Sequence, residues 1–132
     1  MIKETSSNPR VIVVQKLYGH YLSKDSEISF PKHRYKKFIK DVVQGTIERK
    51  DLIENLINDK LKENINNSKT ELLVKIMIMA AIYEFMFMHK TPLKVIISEY
   101  LKAADHFVDK SQKSFLNAIL DKASKISRIT NE

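Results

Sequence analysis

The stretch Ile76-Met-Ile-Met-Ala-Ala-Ile-Tyr-Glu-Phe-Met-Phe-Met88 decides how this chain folds. Eight uncharged residues lead to Glu84, and four more apolar residues follow it. Wound into a helix, this segment is apolar on every face, and such a helix belongs inside a bundle. A bilayer span takes about 20 mostly apolar residues. This run is shorter, and Lys75, Glu84 and Lys90 bracket or interrupt it. The expectation is a buried central helix over residues 69–88, started by Ser68 and Glu71 in capping-box spacing.

Amphipathic segments lie on both sides of that axis. Toward the C-terminus, Thr91-Pro92 is a cap signal, and Leu93, Ile96, Ile97, Tyr100, Leu101, Ala104 and Phe107 follow along one helical stripe. Ser111 is expected to cap a last helix with Phe115, Leu116, Ile119, Leu120, Ala123 and Ile126 inward, fraying from Ser127. Toward the N-terminus, Asp51 and Glu54 form a second capping-box pattern ahead of Ile53, Leu56, Ile57 and Leu61, and Asn66-Asn67 ends that helix. Before it, Tyr35, Phe38, Ile39, Val42, Val43 and Ile47 fall at i, i+3, i+4, i+7, i+8 and i+12, with Pro31 as the opening residue.

Asn8 followed by Pro9 pairs a capping side chain with a first-turn proline. The β-branched run Val11-Ile-Val-Val14 has strand propensity. The apolar positions Val11, Val14, Tyr18, Tyr21 and Leu22 nonetheless keep a period near 3.6, which predicts a helix. Residues 23–30 read as a polar linker. No internal repeat, low-complexity tract or sustained heptad appears, so the fold class is all-α: a helical bundle of about six to seven helices forming one domain over 1–132.

Composition supports this reading. Two Gly and three Pro in 132 residues leave few turn signals for hairpins. The absence of Cys excludes a disulfide framework and a thiol nucleophile and suits a reducing compartment. The first residues lack the apolar core of a signal peptide, so a cytoplasmic protein with no membrane partner is expected. The formal net charge is +7, and it is lopsided: residues 1–50 carry eleven Lys or Arg against five Asp or Glu. A basic surface attracts phosphate backbones, acidic proteins or anionic lipid. Within it, Lys32, His33, Arg34, Lys36, Lys37 and Lys40 crowd the start of one helix, where cations oppose the helix dipole. These residues read either as a solvated face or as phosphate contacts.

No catalytic constellation is visible. His20, His33, His89 and His106 are scattered without metal-ligand spacing, and neither a Gly-rich phosphate loop nor a nucleophile elbow is present. Glu84, beside Tyr83, is the polar exception in the apolar helix and suits a capping or partner contact better than acid–base work. No enzyme activity, metal or cofactor is expected.

Specific residues carry a family likeness. Ala81-Ile-Tyr-Glu84, Pro92-Leu-Lys-Val95, Ile97-Ser-Glu99, Ala104, Phe107 and Phe115-Leu-Asn-Ala-Ile-Leu-Asp-Lys122 follow the order A-x-YEL, P-x-x-V-x-INEA, A-K-x-F and F-V-NG-V-LDK. Arg10 and Gln15-Lys-Leu-Tyr18 fit the first-helix pattern A-R-E-x-A-x-Q-x-LY. The chain thus resembles the bacterial transcription antitermination factor NusB family over nearly its whole length. From its length, the free-standing factor is expected here in place of the related domain that fronts some rRNA methyltransferases.

The resemblance implies two packed three-helix halves and a factor that binds boxA-type RNA jointly with NusE, the small-subunit ribosomal protein, within the antitermination complex on RNA polymerase. A second copy of the chain is a further partner to consider. By the same likeness, Lys3, Arg10, Gln15, Lys16, Tyr18, Phe107, Lys113 and Phe115 are the RNA-side candidates, with Arg10 on the backbone and the two phenylalanines equally suited to the core. Tyr83, Glu84, Pro92 and Glu99 are the partner-side candidates. Met79, Ser98, Ala118 and Ser111 stand where the family favours Arg, Asn, Gly and an acid, and only Lys3 and Arg10 replace an N-terminal arginine cluster. These departures mark a divergent member. They leave open a second function, a non-enzymatic protein-interaction module of the same fold with weak or lost RNA specificity.

Overall fold

Asn8 and Pro9 start the first helix as their chemistry dictates. The Asn8 side chain accepts a hydrogen bond from the Arg10 amide at 2.9 Å, and proline occupies the first turn of α1, Pro9–Leu22. The computed structural model describes residues 7–23, 27–63, 65 and 70–131, with only the backbone of 129–131. Six helices run through them: α1, α2 (Lys36–Glu48), α3 (Lys50–Lys60), α4 (Leu72–Phe87), α5 (Leu93–Ala104) and α6 (Lys110–Asn131). Among the described residues there is no strand, so the all-α class holds.

The apolar stretch forms α4, and eleven consecutive positions from Ile76 to Met86, together with Val74, are buried with one polar member, Glu84. That burial follows from placement: α4 packs against each of the other five helices. Helices α1 to α3 form one half and α4 to α6 the other, with α4 as the shared axis. Burying each Val, Leu, Ile or Met contributes about 1.5–3 kcal/mol, which outweighs the modest helix propensity of so many β-branched residues. The same logic explains α1. Val11, Ile12, Val13, Val14 and Leu17 are all buried because α1 lies against α2, α4 and α5 at once, whereas Tyr18 and Leu22 reach solvent.

Several expected boundaries move. Residue Pro31 does not open α2; the His33 ring nitrogen accepts from the Tyr35 amide and the His33 carbonyl from Lys36, so a turn precedes a helix that begins at Lys36. The Asp51 capping box does not form, because α3 starts at Lys50 and puts Asp51 inside the first turn; Glu54 instead pairs with Lys50 at 3.2 Å. Arg49 serves as the last cap of α2 and the first of α3, joining them without a loop. The start of α4 is Leu72 with Glu71 as its cap residue, and the Ser68, Asn66-Asn67 and Lys69 signals lie outside the described residues. Phe107 falls beyond α5, which ends at Ala104.

The last helix departs most. Its start is capped not by Ser111 but by a reciprocal pair: the Gln112 amide donates to Asp109 at 2.8 Å, and the Asp109 amide donates to the Gln112 side chain at 3.1 Å. This is a capping box of the Asp-x-x-Gln kind. Nor does α6 fray at Ser127, which is fully buried. The Arg128 guanidinium donates to the carbonyls of Phe85 at 3.0 Å, Thr91 at 3.3 Å and Met88 at 3.5 Å. It thereby satisfies carbonyls at the C-terminal end of α4 that no helical amide can reach, and places a cation at the negative end of the helix dipole.

Candidate nucleic-acid interface

The RNA-side candidates on α1 divide by helix face. Arg10 points inward. Its Nη2 lies 2.6 Å from one Glu84 carboxylate oxygen and its Nε 3.0 Å from the other, a bidentate pair with side-chain exposures of 9% and 0%. The guanidinium also sits 4.8 Å from the Phe38 ring centre and 5.5 Å from that of Tyr100. One side chain thus ties α1 to α2, α4 and α5. Burial pushes the Glu84 carboxyl above the ordinary carboxylate range, and the facing guanidinium pulls it back down. Burial likewise holds the Tyr100 phenol well above its usual value.

Arg10, set toward RNA by the likeness, and Glu84, set toward a partner, are thus enclosed in the fold and satisfied by each other. Tyr83 is also interior, 7% exposed, and its hydroxyl donates to Asp41 at 2.6 Å. Burial and that acceptor push the Tyr83 phenol up to about 12. A Cβ built on Gly45 would overlap the Tyr83 ring, so glycine at that position is what lets α2 approach α4.

Other candidates do face solvent. Gln15 and Tyr18 are exposed and Lys16 is half-buried. Gln15, Lys16 and His20 line one wall of a shallow recess of about 270 Å³, closed on the far side by Glu27, Ile28 and Ser29. At the α5–α6 connection, Lys113 pairs with Asp105 at 2.8 Å, which partly neutralises it. Phe107 and Phe115 are half-buried against the hydrophobic core. Lys3 lies outside the described residues.

On the partner side, Pro92 is exposed as the cap of α5, and Glu99 is one-third exposed and meets Lys102 at 3.4 Å. A recess between α5 and α6 is lined by Lys94, Ile97, Asn117, Ala118 and Asp121, with Val95 exposed on the same helix. Pro92 and Glu99 thus share the outer part of α5, while Tyr83 and Glu84 stay within the bundle.

No helix of the described residues is long and apolar enough to cross a membrane, and none of them forms a cluster of three potential metal ligands. What the arrangement offers is a basic, partly aromatic surface and a grooved helical one. The NusB family model matches residues 7–125. This chain belongs to the NusB family. Curated NusB relatives include the transcription antitermination proteins NusB of Bradyrhizobium diazoefficiens, 28% identical over 88 residues, and of Nitrobacter winogradskyi, 30% identical over 88 residues. Each alignment spans 67% of this chain but only 53% and 55% of those NusB proteins. The chain thus aligns with about half the length of these relatives. The NusB of Rickettsia massiliae is 29% identical over 105 residues, covering 79% of this chain and 64% of that protein. Among solved structures, T. maritima NusB superposes with a TM-score of 0.78 at 22% identity, covering 95% of this chain and 94% of that one, so the two share a fold.

Proposed function

We propose that this chain is a non-enzymatic transcription antitermination factor that binds boxA-type RNA together with the ribosomal protein NusE, as part of the antitermination complex on RNA polymerase in the cytoplasm. The observation that carries this reading is the NusB family match over residues 7–125. The surface chemistry supports it. Gln15, Lys16 and Tyr18 present an amide, an ammonium and an aromatic ring on one exposed face of α1, the side-chain set that hydrogen-bonds, neutralises and stacks on single-stranded RNA. Arg10 supports that face from within, fixing α1 against α4 and α5 through Glu84 and Tyr100. The α5–α6 recess lined by Lys94, Ile97, Asn117, Ala118 and Asp121 is one face offered to the protein partner, and Pro92 and Glu99 offer another on α5.

The chain is co-expressed with NusE, and the purified pair is titrated with boxA RNA and with a scrambled sequence of equal length. A co-purifying pair that prefers boxA, and loses affinity in Lys16→Gln and Tyr18→Ala, bears the proposal out. A second reading, a protein-interaction module with weak RNA specificity, is favoured by one observation: two matched cations are already paired, Arg10 with Glu84 and Lys113 with Asp105. NusE capture with equal binding to both RNAs selects that reading, and absence of both interactions sinks the two together.

A further inference from the structure

The strongest unassigned charge in the molecule lies within the span matched by the family model but outside the residues that carry the family's motifs. Lys32, Arg34, Lys36, Lys37 and Lys40 are all exposed, and none of them makes an ion pair with a described residue. The acid within this segment of α2, Asp41, accepts the Tyr83 hydroxyl and so is engaged toward α4. The fold gains nothing from this arrangement. The first turn of α2 has no acidic residue, and its lysines sit at the positive end of the helix dipole, where cations are disfavoured.

Planar groups are interleaved with the cations. Tyr35 is 44% exposed, with the Arg34 guanidinium 5.0 Å from its ring centre and the His33 ring 5.9 Å away. Exposed rings among unpaired cations are what single-stranded nucleic acid needs: phosphates meet the ammonium groups and a base stacks on the ring. A lipid surface asks for an apolar wedge, yet Phe38 is turned onto the core and Ile39 is fully buried.

Position joins this patch to the α1 face. Arg10, at the start of α1, packs on Phe38 in the first turns of α2, and His20, near the end of α1, shares a cavity with Gln44, Ile47 and Glu48 near the end of α2. The two helices therefore run side by side in the same direction, and the cationic turns of α2 lie next to the start of α1.

We infer that the α2 entry, residues 32–40, is a phosphate track for single-stranded RNA with Tyr35 as its stacking platform, supplying the backbone affinity that the inward-turned Arg10 does not. This inference rests on the RNA-binding function proposed above. It assigns contacts to side chains that the family likeness leaves unassigned.

The test uses the full chain with NusE and fluorescent boxA and scrambled RNAs, with anisotropy read at several KCl concentrations. Lys36→Gln/Lys37→Gln/Lys40→Gln should lower the slope of log K against log [salt] by about 0.7 for each lysine on a phosphate, roughly two in all, and weaken both RNAs alike. Tyr35→Ser should weaken binding about tenfold with the slope unchanged. Melting curves of both variants should match the parent, since every changed side chain is exposed. If the parent pair binds boxA and the triple variant keeps its slope, the track is refuted and the RNA-binding function stands. If the parent binds no RNA, that function fails and the track with it. Lysine-dependent binding to phosphatidylserine vesicles or polyglutamate that exceeds binding to RNA also overturns the inference.

Discussion

Arg10 and the lysines at the α2 entry are neighbours in space and opposites in use. Arg10 is the cation that a family pattern singles out, and it is enclosed: a bidentate partner holds it, two aromatic rings flank it, and less than a tenth of the side chain meets solvent. Lys36, Lys37 and Lys40 match no pattern, and they are exposed and make no ion pair with a described residue. A cation matched by motif can belong to the fold, while the cations free to meet a polyanion are those without an internal acid. Position in a pattern does not separate these cases; the location of the nearest carboxylate does.

The most severe way to break the comparison is to abolish the interior that encloses Arg10. Ile82→Asp puts an unpaired carboxylate at a fully buried position of α4, at a cost of several kcal/mol against a total stability of about 5–15. Loss of helical circular dichroism is expected, and a variant that keeps its parent melting temperature would deny that α4 is the core.

Arg10→Met addresses the contrast directly. It strands Glu84, and breaking a buried pair costs about 3–5 kcal/mol, whereas the apolar double replacement Arg10→Met/Glu84→Leu should recover most of the loss. Lys37→Met, at the exposed site, should change stability by less than about 0.5 kcal/mol. Urea denaturation measures all three. Equal effects of Arg10→Met and Lys37→Met would erase the distinction between the two regions.

Smaller effects sharpen the boundary between α2 and α4. Gly45→Ala drives a methyl group into the Tyr83 ring, and overpacking of this kind costs about 1–3 kcal/mol. Tyr83→Phe removes the hydrogen bond to Asp41 and should cost about 1 kcal/mol near neutral pH. It also has a pH signature. The folded chain holds the Tyr83 proton to about 12, above the ordinary phenol value of 10.0, so this contribution is complete below pH 10 and is lost as pH rises through 12. Stability measured across that window should fall more steeply in the parent than in Tyr83→Phe; parallel curves would show that the phenol is not held.

What the sequence made legible follows from what periodicity and capping encode. The apolar run of 76–88, polar only at Glu84, could only be interior, and Asn8-Pro9 could only start a helix, because both signals are local. The partner of Glu84 was invisible, since Arg10 lies 74 residues away and no spacing rule spans that distance. Local signals also compete. Asp51 and Ser111 carry good capping chemistry, but the chain turned two residues before each of them, where Arg49 joins two helices and Asp109 with Gln112 closes a reciprocal pair. An Asp-x-x-Gln reading of 109–112 would have found the second. At the candidate interface, the exposed positions of α1 were legible from the helix face opposite its valines. The inward turn of Arg10 was not, because Arg10 falls on the same face as Val13, Val14 and Leu17 and is the polar member of that buried set.

The Arg128 clamp carries a consequence for how the protein comes off the ribosome. The Phe85 carbonyl near the end of α4 receives its donor from a side chain translated about forty residues later, and the Met88 carbonyl, which already accepts the Thr91 amide, gains a second donor from it. Contacts of such sequence separation form late, and the helix that packs against all the others is also packed on by the last one made. A nascent chain halted after α5 therefore holds its central helix with the Phe85 carbonyl lacking its Arg128 donor and with an uncovered apolar side, a species open to proteases and to hsp70-type chaperones. Synthesis at about 5–20 residues per second leaves that state exposed for seconds before α6 emerges to close it.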